Sequence, residues 1–330
     1  MDQSSFPRPS FPRRRMLQLA AAAGLSAAAT SACTGTPSPI PGPTTANTAT
    51  AGPVPDSGGP TTSAEATTAA PPAPPASVPP STVPASAVPI PAVSTRTGGF
   101  VSRFRPAVIT RWSLAVPLAE EANQLLPVAV FLHGLGGSHE VLLLDLAADR
   151  ALQRHLDDGG LPFAVAAVDG GDSWWHARAD GSDTQSMLVQ EFLPFLGEQG
   201  LDLGKVGIFG TSMGGFGALL LASRGRVSGL RGVAAMSPAV WSSYEEGIQG
   251  AFDGPADFAA NNVFALRPRL AAIPKRIDCG SEDDLAATVR RYRSGLPGRV
   301  EGGFQPGGHD ALYWRSILPD VLDFLGRSLG

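Results

Sequence analysis

The sequence predicts an α/β domain over residues 98–330, with a mainly parallel central sheet and helices on both of its faces. Short apolar segments rich in β-branched residues alternate there with longer segments whose apolar residues recur at helical spacing. Several of the short segments are uninterrupted apolar runs, as expected of strands buried on both faces. About 230 residues are enough to bury one substantial core.

The predicted elements follow one another in a regular order. A segment at 107–116 begins an antiparallel edge, and further strands are predicted at 128–132, 163–168, 206–209, 233–236, 276–278 and 300–304. Helices are predicted at 141–156, 187–196, 215–222, 285–292 and 311–325. In open α/β sheets ligands bind beyond the carboxyl ends of the strands, so the loops after the strands are expected to carry the functional side chains.

Residues 1–33 have the pattern of an export signal. Three arginines at 13–15 precede an apolar, alanine-rich run over 19–32, and this arrangement resembles a twin-arginine signal. The run is too short and too weakly apolar for a membrane span, which needs roughly 20 residues. It ends at Cys33 in a segment similar to a bacterial lipoprotein cleavage site. Either Cys33 carries a lipid, or a plain signal peptide is cleaved after a small residue and Cys33 is incidental.

Both alternatives predict an exported protein. A lipidated Cys33 would hold it on the outer face of the cytoplasmic membrane by two acyl chains, as its only membrane contact, and otherwise it is secreted. Residues 34–97 consist mainly of Pro, Ala, Thr and Ser and cannot bury enough surface to offset the entropy of ordering, so they are predicted to be a disordered linker. Cys279 is the only other cysteine, which excludes a disulfide within the domain.

The charge distribution argues against nucleic acid as a partner. The whole chain has a net charge of -4, and Lys205 and Lys275 are its only lysines. A mildly acidic domain with so few lysines has no obvious surface for attracting phosphate backbones.

The segment Gly210-Thr211-Ser212-Met213-Gly214 lies between a predicted strand and a predicted helix. A strand-to-helix turn of the form G-x-S-x-G is so tight that side chains at its outer positions would clash with neighbouring backbone, and it leaves the serine projecting above the sheet. Two glycines at this spacing also occur by chance in a glycine-rich chain, but the flanking strand and helix favour the functional interpretation. Ser212 is therefore the predicted nucleophile, with the Met213 N–H as an oxyanion donor.

Five histidines are candidates for the base that an oxygen nucleophile needs. His309 follows the predicted last strand, and it alone fits the chain order serine, acid, histidine; a loop residue capping the final helix is the alternative. His155 is interpreted as a solvated surface residue on a helix and His139 as a residue near a helix start. His133 belongs to a glycine-rich loop, and both His133 and His176 are candidates for lining the pocket.

The third member of the set must be a carboxylate that orients the imidazole. The segment from Asp278 to Asp284 offers four of them. Asp278 is expected within the strand, whereas Glu282 and Asp284 suit the start of the next helix. Asp283 is the predicted partner of the histidine, and a helix-start role is its alternative too.

A second oxyanion donor is expected in the loop after the strand at 128–132. The sequence His133-Gly134-Leu135-Gly136-Gly137 supplies glycines that let backbone approach a substrate, and the Leu135 N–H is the predicted donor. The loop lacks the Lys followed by Ser or Thr of a P-loop and does not match G-x-G-x-x-G, so a nucleotide site is not indicated.

These motifs and their order resemble an esterase family of α/β-hydrolases that includes esterase D-like enzymes and secreted mycolyltransferases. The resemblance covers nearly all of residues 98–330 and includes Gly308-His309 followed by Tyr313-Trp314. It implies a Ser, carboxylate and His triad that acts on acyl esters without metal or organic cofactor. The chain lacks the cysteine-containing oxyanion segment of formylglutathione hydrolases, and its elbow reads Ser-Met-Gly where mycolyltransferases have Ser-Met-Ala.

The predicted function is therefore hydrolysis of small-molecule, lipid or carbohydrate acyl esters by a monomer. Acyl transfer of the mycolyltransferase type and non-catalytic cell-wall binding are the alternatives. Trp174 and Trp175 follow the fourth strand and would form an apolar wall or a sugar-stacking platform, or pack beneath the loop. Trp241 is a further pocket candidate, with a place in the core as the alternative.

Overall fold

The computed structural model describes residues 93–118 and 125–330, which form one eight-stranded sheet with helices on both faces. The predicted leader, Cys33 and most of the predicted linker lie outside the described residues. The strands are β1 (Val93–Val101), β2 (Ile109–Pro117), β3 (Leu126–Leu132), β4 (Ala164–Val168), β5 (Leu201–Thr211), β6 (Leu230–Met236), β7 (Lys275–Gly280) and β8 (Phe304–Gln305).

The strand order across the sheet is β1-β2-β4-β3-β5-β6-β7-β8. Strands β3 to β8 run parallel to one another, and β1 and β2 add an antiparallel edge. The predicted fold class, a mainly parallel sheet between helices, is therefore confirmed.

Strand β1 corrects the predicted domain boundary, because residues 93–97 were assigned to the linker. The strand pairs with β2 in antiparallel register from Val93 opposite Pro117 to Val101 opposite Ile109. The Val93 N–H also donates to Oε1 of Gln153 at 3.1 Å. Hydrogen bonds from β2 give this Ser- and Thr-containing segment an ordered partner, so the domain begins by residue 93 and not at residue 98.

Nine α-helices connect or flank the strands in the described part of the chain. They are α1 (Val141–Leu144), α2 (Ala148–Asp157), α3 (Thr184–Met187), α4 (Leu193–Glu198), α5 (Met213–Arg224), α6 (Pro255–Asn261), α7 (Val263–Leu266), α8 (Ala286–Ser294) and α9 (Ala311–Leu329). A π-helical turn, Leu188–Phe192, joins α3 to α4, and short 3-10 turns occupy Tyr244–Glu246 and Arg267–Leu270. Within the described ranges, none of the helices has both the length and the apolarity needed to cross a membrane.

Two predicted elements differ in detail from the structure. The helix predicted at 141–156 is divided into α1 and α2, because Ala147 adopts a left-handed conformation with φ 50°. The last strand, predicted at 300–304, is reduced to the two residues of β8, although Glu301 forms an isolated bridge with Arg276.

Alternate residues of the central strands pack against helices on opposite faces. Val128, Val130 and Leu132 of β3 belong to the apolar cluster that contains the buried side chains of α5 and α8. Ala129 and Phe131, between them in sequence, belong to a second cluster with α2 and α9. All five side chains are fully buried, so the sheet is a rigid platform between two cores.

Candidate active site

The turn between β5 and α5 holds Ser212 in a strained backbone conformation. Ser212 has φ 52° and ψ -117°, which few residues other than glycine adopt. A side chain on Gly214 would overlap the Leu132 carbonyl, and a Cβ on Gly210 would lie 2.5 Å from the backbone of Gly214. The two outer glycines are therefore required, as the sequence pattern predicts, and they leave the Ser212 side chain partly exposed above the sheet.

A chain of hydrogen bonds connects the serine, the histidine and one carboxylate. Oγ of Ser212 lies 2.9 Å from Nε2 of His309, and Nδ1 of His309 lies 2.8 Å from Oδ2 of Asp283. Because an ionised carboxylate only accepts, this contact places the proton of a neutral His309 on Nδ1. Nε2 then presents its lone pair to the Ser212 hydroxyl, which is the geometry of a base beside an oxygen nucleophile.

Asp283 is buried, with 5% of its surface exposed. Burial opposes its ionisation, but the hydrogen bond and charge of His309, together with the Leu285 N–H at 2.8 Å from Oδ1, outweigh this effect. The pKa of Asp283 therefore lies below its ordinary value, and the carboxylate stays charged.

The other three carboxylates of this segment lie elsewhere. Asp278 is buried within β7 and is bound by Arg276, with 2.7 Å between Nε and Oδ2. Glu282 and Asp284 are exposed, and neither contacts His309. The structure thus brings Asp283, and not its neighbours, to the histidine.

The backbone N–H groups of Leu135 and Met213, beside Ser212, have no hydrogen-bond acceptor among the described residues. The loop that carries Leu135 approaches the serine closely, since a Cβ on Gly134 would lie 3.4 Å from the Cβ of Ser212. The next N–H, on Gly136, already donates to Oδ1 of Asp172 at 2.8 Å. The Gly136 N–H is therefore not available to a substrate, whereas the Leu135 N–H is, and its role as an oxyanion donor stays a prediction.

His133, a predicted pocket residue, is buried beneath this loop and supports it; its side chain is not available to contact a substrate. The ring is buried, with 1% of its surface exposed, and Nε2 accepts the Gly170 N–H at 2.8 Å. The proton must then be on Nδ1, which lies 2.7 Å from the Gly134 carbonyl. Burial lowers the pKa of His133, although neighbouring carbonyl and carboxylate groups oppose this, so the ring stays neutral while it holds the loop.

The remaining pocket candidates are packed inside the domain. Trp174, Trp175 and Trp241 expose 5% or less of their surface, which favours the packing alternative for all three. Trp174 and Trp175 adopt left-handed backbone with φ 59° and 55°, so packing holds this turn in a strained form. His176 is fully buried, with its ring nitrogens facing backbone carbonyls, and the prediction that it lines the pocket is wrong.

His139 and His155 were assigned to a helix start and to a solvated helix surface, respectively. His139 does lie near a helix start, two residues before α1, but it is buried against Ser113. His155 is not solvated: it exposes 7% of its surface, and its Nδ1 lies 2.6 Å from Oδ1 of Asp323 on α9. The apolar cluster between α2 and α9 encloses this ring, a contact that the local sequence does not show.

The structure adds two residues to those found from sequence. Asp172 holds the loop of residues 133–137, called the oxyanion loop below after its predicted role, by accepting the Gly136 N–H. Trp314 packs against His309 in an edge-to-face arrangement, with ring centroids 5.1 Å apart and planes at 83°. The pair Tyr313-Trp314 was visible as a motif, but its contact depends on how α9 leaves the loop that carries His309.

The sheet order, the strained turn and the hydrogen-bonded serine, histidine and aspartate together define an α/β-hydrolase. The family described as "Putative esterase" matches residues 111–325, more than half of the chain. The chain belongs to this esterase family and is a carboxylic ester hydrolase. No curated protein matches its sequence.

Solved structures with similar folds include several esterases. A ferulic acid esterase matches with a TM-score of 0.63 and 20% identity, over 73% of this chain and 100% of the other. An S-formylglutathione hydrolase from Agrobacterium tumefaciens matches with a TM-score of 0.61 and 17% identity, over 72% and 95%. The fluorophosphonate-binding serine hydrolase FphF of Staphylococcus aureus has values of 0.58 and 18%, over 71% and 99%. The structural similarity demonstrates a common fold, and at identities this low it demonstrates the fold alone.

Proposed function

We propose that the protein is a serine esterase that hydrolyses carboxylic acyl esters through Ser212, His309 and Asp283. The observation that carries this proposal is the unbroken hydrogen-bond chain among these three side chains, at 2.9 and 2.8 Å. Its serine is partly exposed at the carboxyl ends of the strands, where a substrate has access. A non-catalytic binding protein would have no need of this alignment.

The geometry supports a two-stage reaction with a covalent acyl-enzyme. Nε2 of His309 takes the Ser212 proton as Oγ attacks the ester carbonyl, and the N–H groups of Leu135 and Met213 stabilise the resulting oxyanion. The C–O bond of the ester then breaks, and the leaving alkoxide takes the proton from His309. Water attacks the acyl-enzyme with His309 again as base, which releases the carboxylic acid and restores Ser212.

A fluorophosphonate probe and one pair of variants test this proposal on the full chain. The probe should label wild-type protein and not Ser212→Ala. Asp283→Asn should lower kcat by about 10⁴-fold, because an amide favours the wrong tautomer of His309. Asp284→Asn changes an exposed carboxyl one residue away and is the matched control. Equal activities of the two variants on p-nitrophenyl acetate would refute the assigned triad.

The proposed cellular position rests on the sequence of the leader. We infer export, with a lipid on Cys33 that holds the protein on the outer face of the cytoplasmic membrane. Two acyl chains attach a protein stably where one does not. Expressed with its own leader, wild-type protein should sediment with membranes and Cys33→Ser should not. Equal distribution of both proteins in the soluble fraction would favour plain secretion.

A further inference from the structure

A polar cleft lies at the carboxyl-end edge of the sheet, separated from Ser212 by the oxyanion loop. Its volume is about 310 Å³, and the polar residues among its lining are Thr97, Arg111, Ser138, His139, Glu140 and Asp169. The strand order β2-β4-β3-β5 places this cleft beside β2 and Ser212 after β5. The lining comes from β2 and from the segments that follow β4 and β3, so the middle of the cleft is two to three steps of about 4.8 Å, or about 10 to 14 Å, from the position after β5.

The walls of the cleft are fixed by backbone hydrogen bonds and are continuous with the oxyanion loop. Asp169 accepts the His139 N–H with Oδ1 at 2.8 Å and the Arg111 N–H with Oδ2 at 3.3 Å. Residues 138–140 directly follow the loop that carries Leu135. A ligand in the cleft would therefore contact the same segment that supplies the oxyanion donor.

His139 presents a buried polar group to this cleft. Its side chain lines the cavity although the residue exposes only 5% of its surface, and its Nδ1 lies 2.6 Å from Oγ of Ser113. Nε2, the other ring nitrogen, has no hydrogen-bond partner among the residues that the structure describes. Whichever tautomer the Ser113 contact selects, one ring nitrogen is left to donate or accept in the cleft.

Two charged side chains at the mouth of the cleft also have no partner among the described residues. The guanidinium of Arg111 and the carboxylate of Glu140 are exposed, and neither forms a side-chain hydrogen bond or ion pair within the described residues. The hydroxyls of Thr97 and Ser138 add groups that both donate and accept. The cleft thus offers donors and acceptors together, with one free charge of each sign.

This lining selects a chemical class of ligand. An anion would meet the carboxylates of Glu140 and Asp169, and a cation would meet Arg111. The imidazole of His139 is the only aromatic ring among the described residues that line the cleft, and it is too deeply buried, at 5% exposure, to offer a planar ligand an open face for stacking. A neutral compound with many hydroxyl groups can pair with every group present.

We propose that this cleft binds the carbohydrate part of an ester substrate, at a distance from the bond that is broken at Ser212. The inference rests on the proposed esterase activity and narrows its substrate to acylated oligosaccharides. A separation of about 10 to 14 Å, or two to three strand spacings, is too long for one sugar that also carries the reacting ester, so the bound sugar is a further unit of the same oligosaccharide. The contacts hold the substrate in both ground and transition states, so they act mainly on KM.

The test compares small and extended substrates on the full chain. Acetate release is measured with p-nitrophenyl acetate, an acetylated methyl glucoside, and acetylated trisaccharides of glucose, xylose and N-acetylglucosamine. At least one trisaccharide ester should be hydrolysed with kcat/KM about tenfold above that of the glucoside ester. Arg111→Ala/Glu140→Ala should raise KM for that ester about tenfold, because two hydrogen-bonding groups are lost. The same variant should hydrolyse p-nitrophenyl acetate as wild type does.

The matched control is Arg154→Ala/Glu198→Ala, which removes the same two charges from exposed helix positions outside the cleft lining. This control should retain the preference for the trisaccharide ester. Equal kcat/KM of wild type on the glucoside and all three trisaccharide esters would overturn the inference, as would an equal loss on every substrate in the cleft variant. Absence of p-nitrophenyl acetate hydrolysis in wild type would instead refute the proposed esterase function.

In that case the cleft is tested by binding alone. Calorimetry of the three acyl-free trisaccharides with Ser212→Ala protein should show binding of one of them, which Arg111→Ala/Glu140→Ala weakens. Absence of binding by all three would overturn the carbohydrate assignment independently of catalysis.

Discussion

Two serine–histidine pairs lie near the same edge of the sheet, and their surroundings differ. Oγ of Ser212 lies 2.9 Å from Nε2 of His309, and Oγ of Ser113 lies 2.6 Å from Nδ1 of His139. Behind His309 stands the buried carboxylate of Asp283, whereas the second ring nitrogen of His139 has no partner among the described residues. The shorter contact thus belongs to the pair that lacks the carboxylate.

The backbone separates the two pairs as clearly as the carboxylate does. Ser212 has positive φ at the start of α5, lies beside the free N–H groups of Leu135 and Met213, and is partly exposed. Ser113 lies within the regular strand β2 with 1% of its surface exposed. Proximity of a serine and a histidine therefore does not define a nucleophile. The orientation of the base, the access of substrate to the serine and the oxyanion donors define it.

The largest difference between the two pairs is expected when each serine hydroxyl is removed in turn. Ser212→Ala should lower kcat for p-nitrophenyl acetate by about 10⁴- to 10⁶-fold, because no nucleophile remains. Ser113→Ala should leave kcat for this small ester within about threefold, since Ser113 has no access to the carbonyl. Circular dichroism would check that both variants are folded. A loss of activity in Ser113→Ala that matches the loss in Ser212→Ala would erase the distinction between the pairs.

A smaller effect is expected when the oxyanion loop loses its support. Asp172→Ala leaves the Gly136 N–H without its acceptor and loosens the loop that carries Leu135. We expect kcat to fall about tenfold with KM nearly unchanged, because the loop acts on the transition state. Asp158→Ala, at an exposed helix end, is the control. Were KM to rise while kcat stayed constant, Asp172 would contact substrate and not position the loop.

The smallest expected effect is on stability, and it comes from buried histidines that belong to neither serine–histidine pair. Burial lowers the pKa of His133 and His176, although nearby hydrogen bonds and carboxylates oppose it. The unfolded chain, with histidine pKa about 6.5, then binds protons that the folded protein does not. Stability is therefore complete above about pH 6.5 and falls below it, by up to about 1.4 kcal/mol per pH unit for each histidine.

Urea unfolding between about pH 8 and about pH 5 measures this slope, with wild type beside His176→Gln. The variant should lose less free energy of unfolding per pH unit, because one titrating group is gone. Identical slopes would show that His176 is equally protonated in the folded and unfolded states.

The parts of the site predicted from sequence are those that local backbone determines. The strand, tight turn and helix around Ser212 are encoded in one continuous segment from Leu201 to Arg224, and the glycine loop at Leu135 likewise directly follows its strand. Asp283 and His309 follow from their positions after β7 and β8. Chain order and strand ends are enough to bring such groups to one edge of a parallel sheet.

The sequence-based predictions that were wrong concern burial and contacts between segments that are distant in the chain. His176 is enclosed through the Ala251 carbonyl, 75 residues later in the chain, and His155 through Asp323, 168 residues later. Residues 93–97 of strand β1 were grouped with the linker, and they are ordered by pairing with β2 and by the contact of Val93 with Gln153 of α2. No window along the sequence contains these contacts, so local patterns cannot predict them.

The two ends of the described domain lie away from the site. Strand β1 begins at Val93 at the end of the sheet opposite the carboxyl ends of the parallel strands, because β1 runs antiparallel to β2, which runs antiparallel to β4. Helix α9 starts two residues after His309, and its 19 residues extend about 28 Å. Its end is tied near the start of β5, where Nζ of Lys205 donates to the Gly330 carbonyl at 3.1 Å.

This placement makes the domain suitable for attachment at the side opposite the active site. A fusion partner joined ahead of Val93, or a solid support coupled beyond α9, would leave the approach to Ser212 unobstructed. Immobilised enzyme oriented by either end should therefore retain the turnover of free enzyme. Coupling through lysine should do the same, because Lys205 lies beside Gly330 and Lys275 is buried.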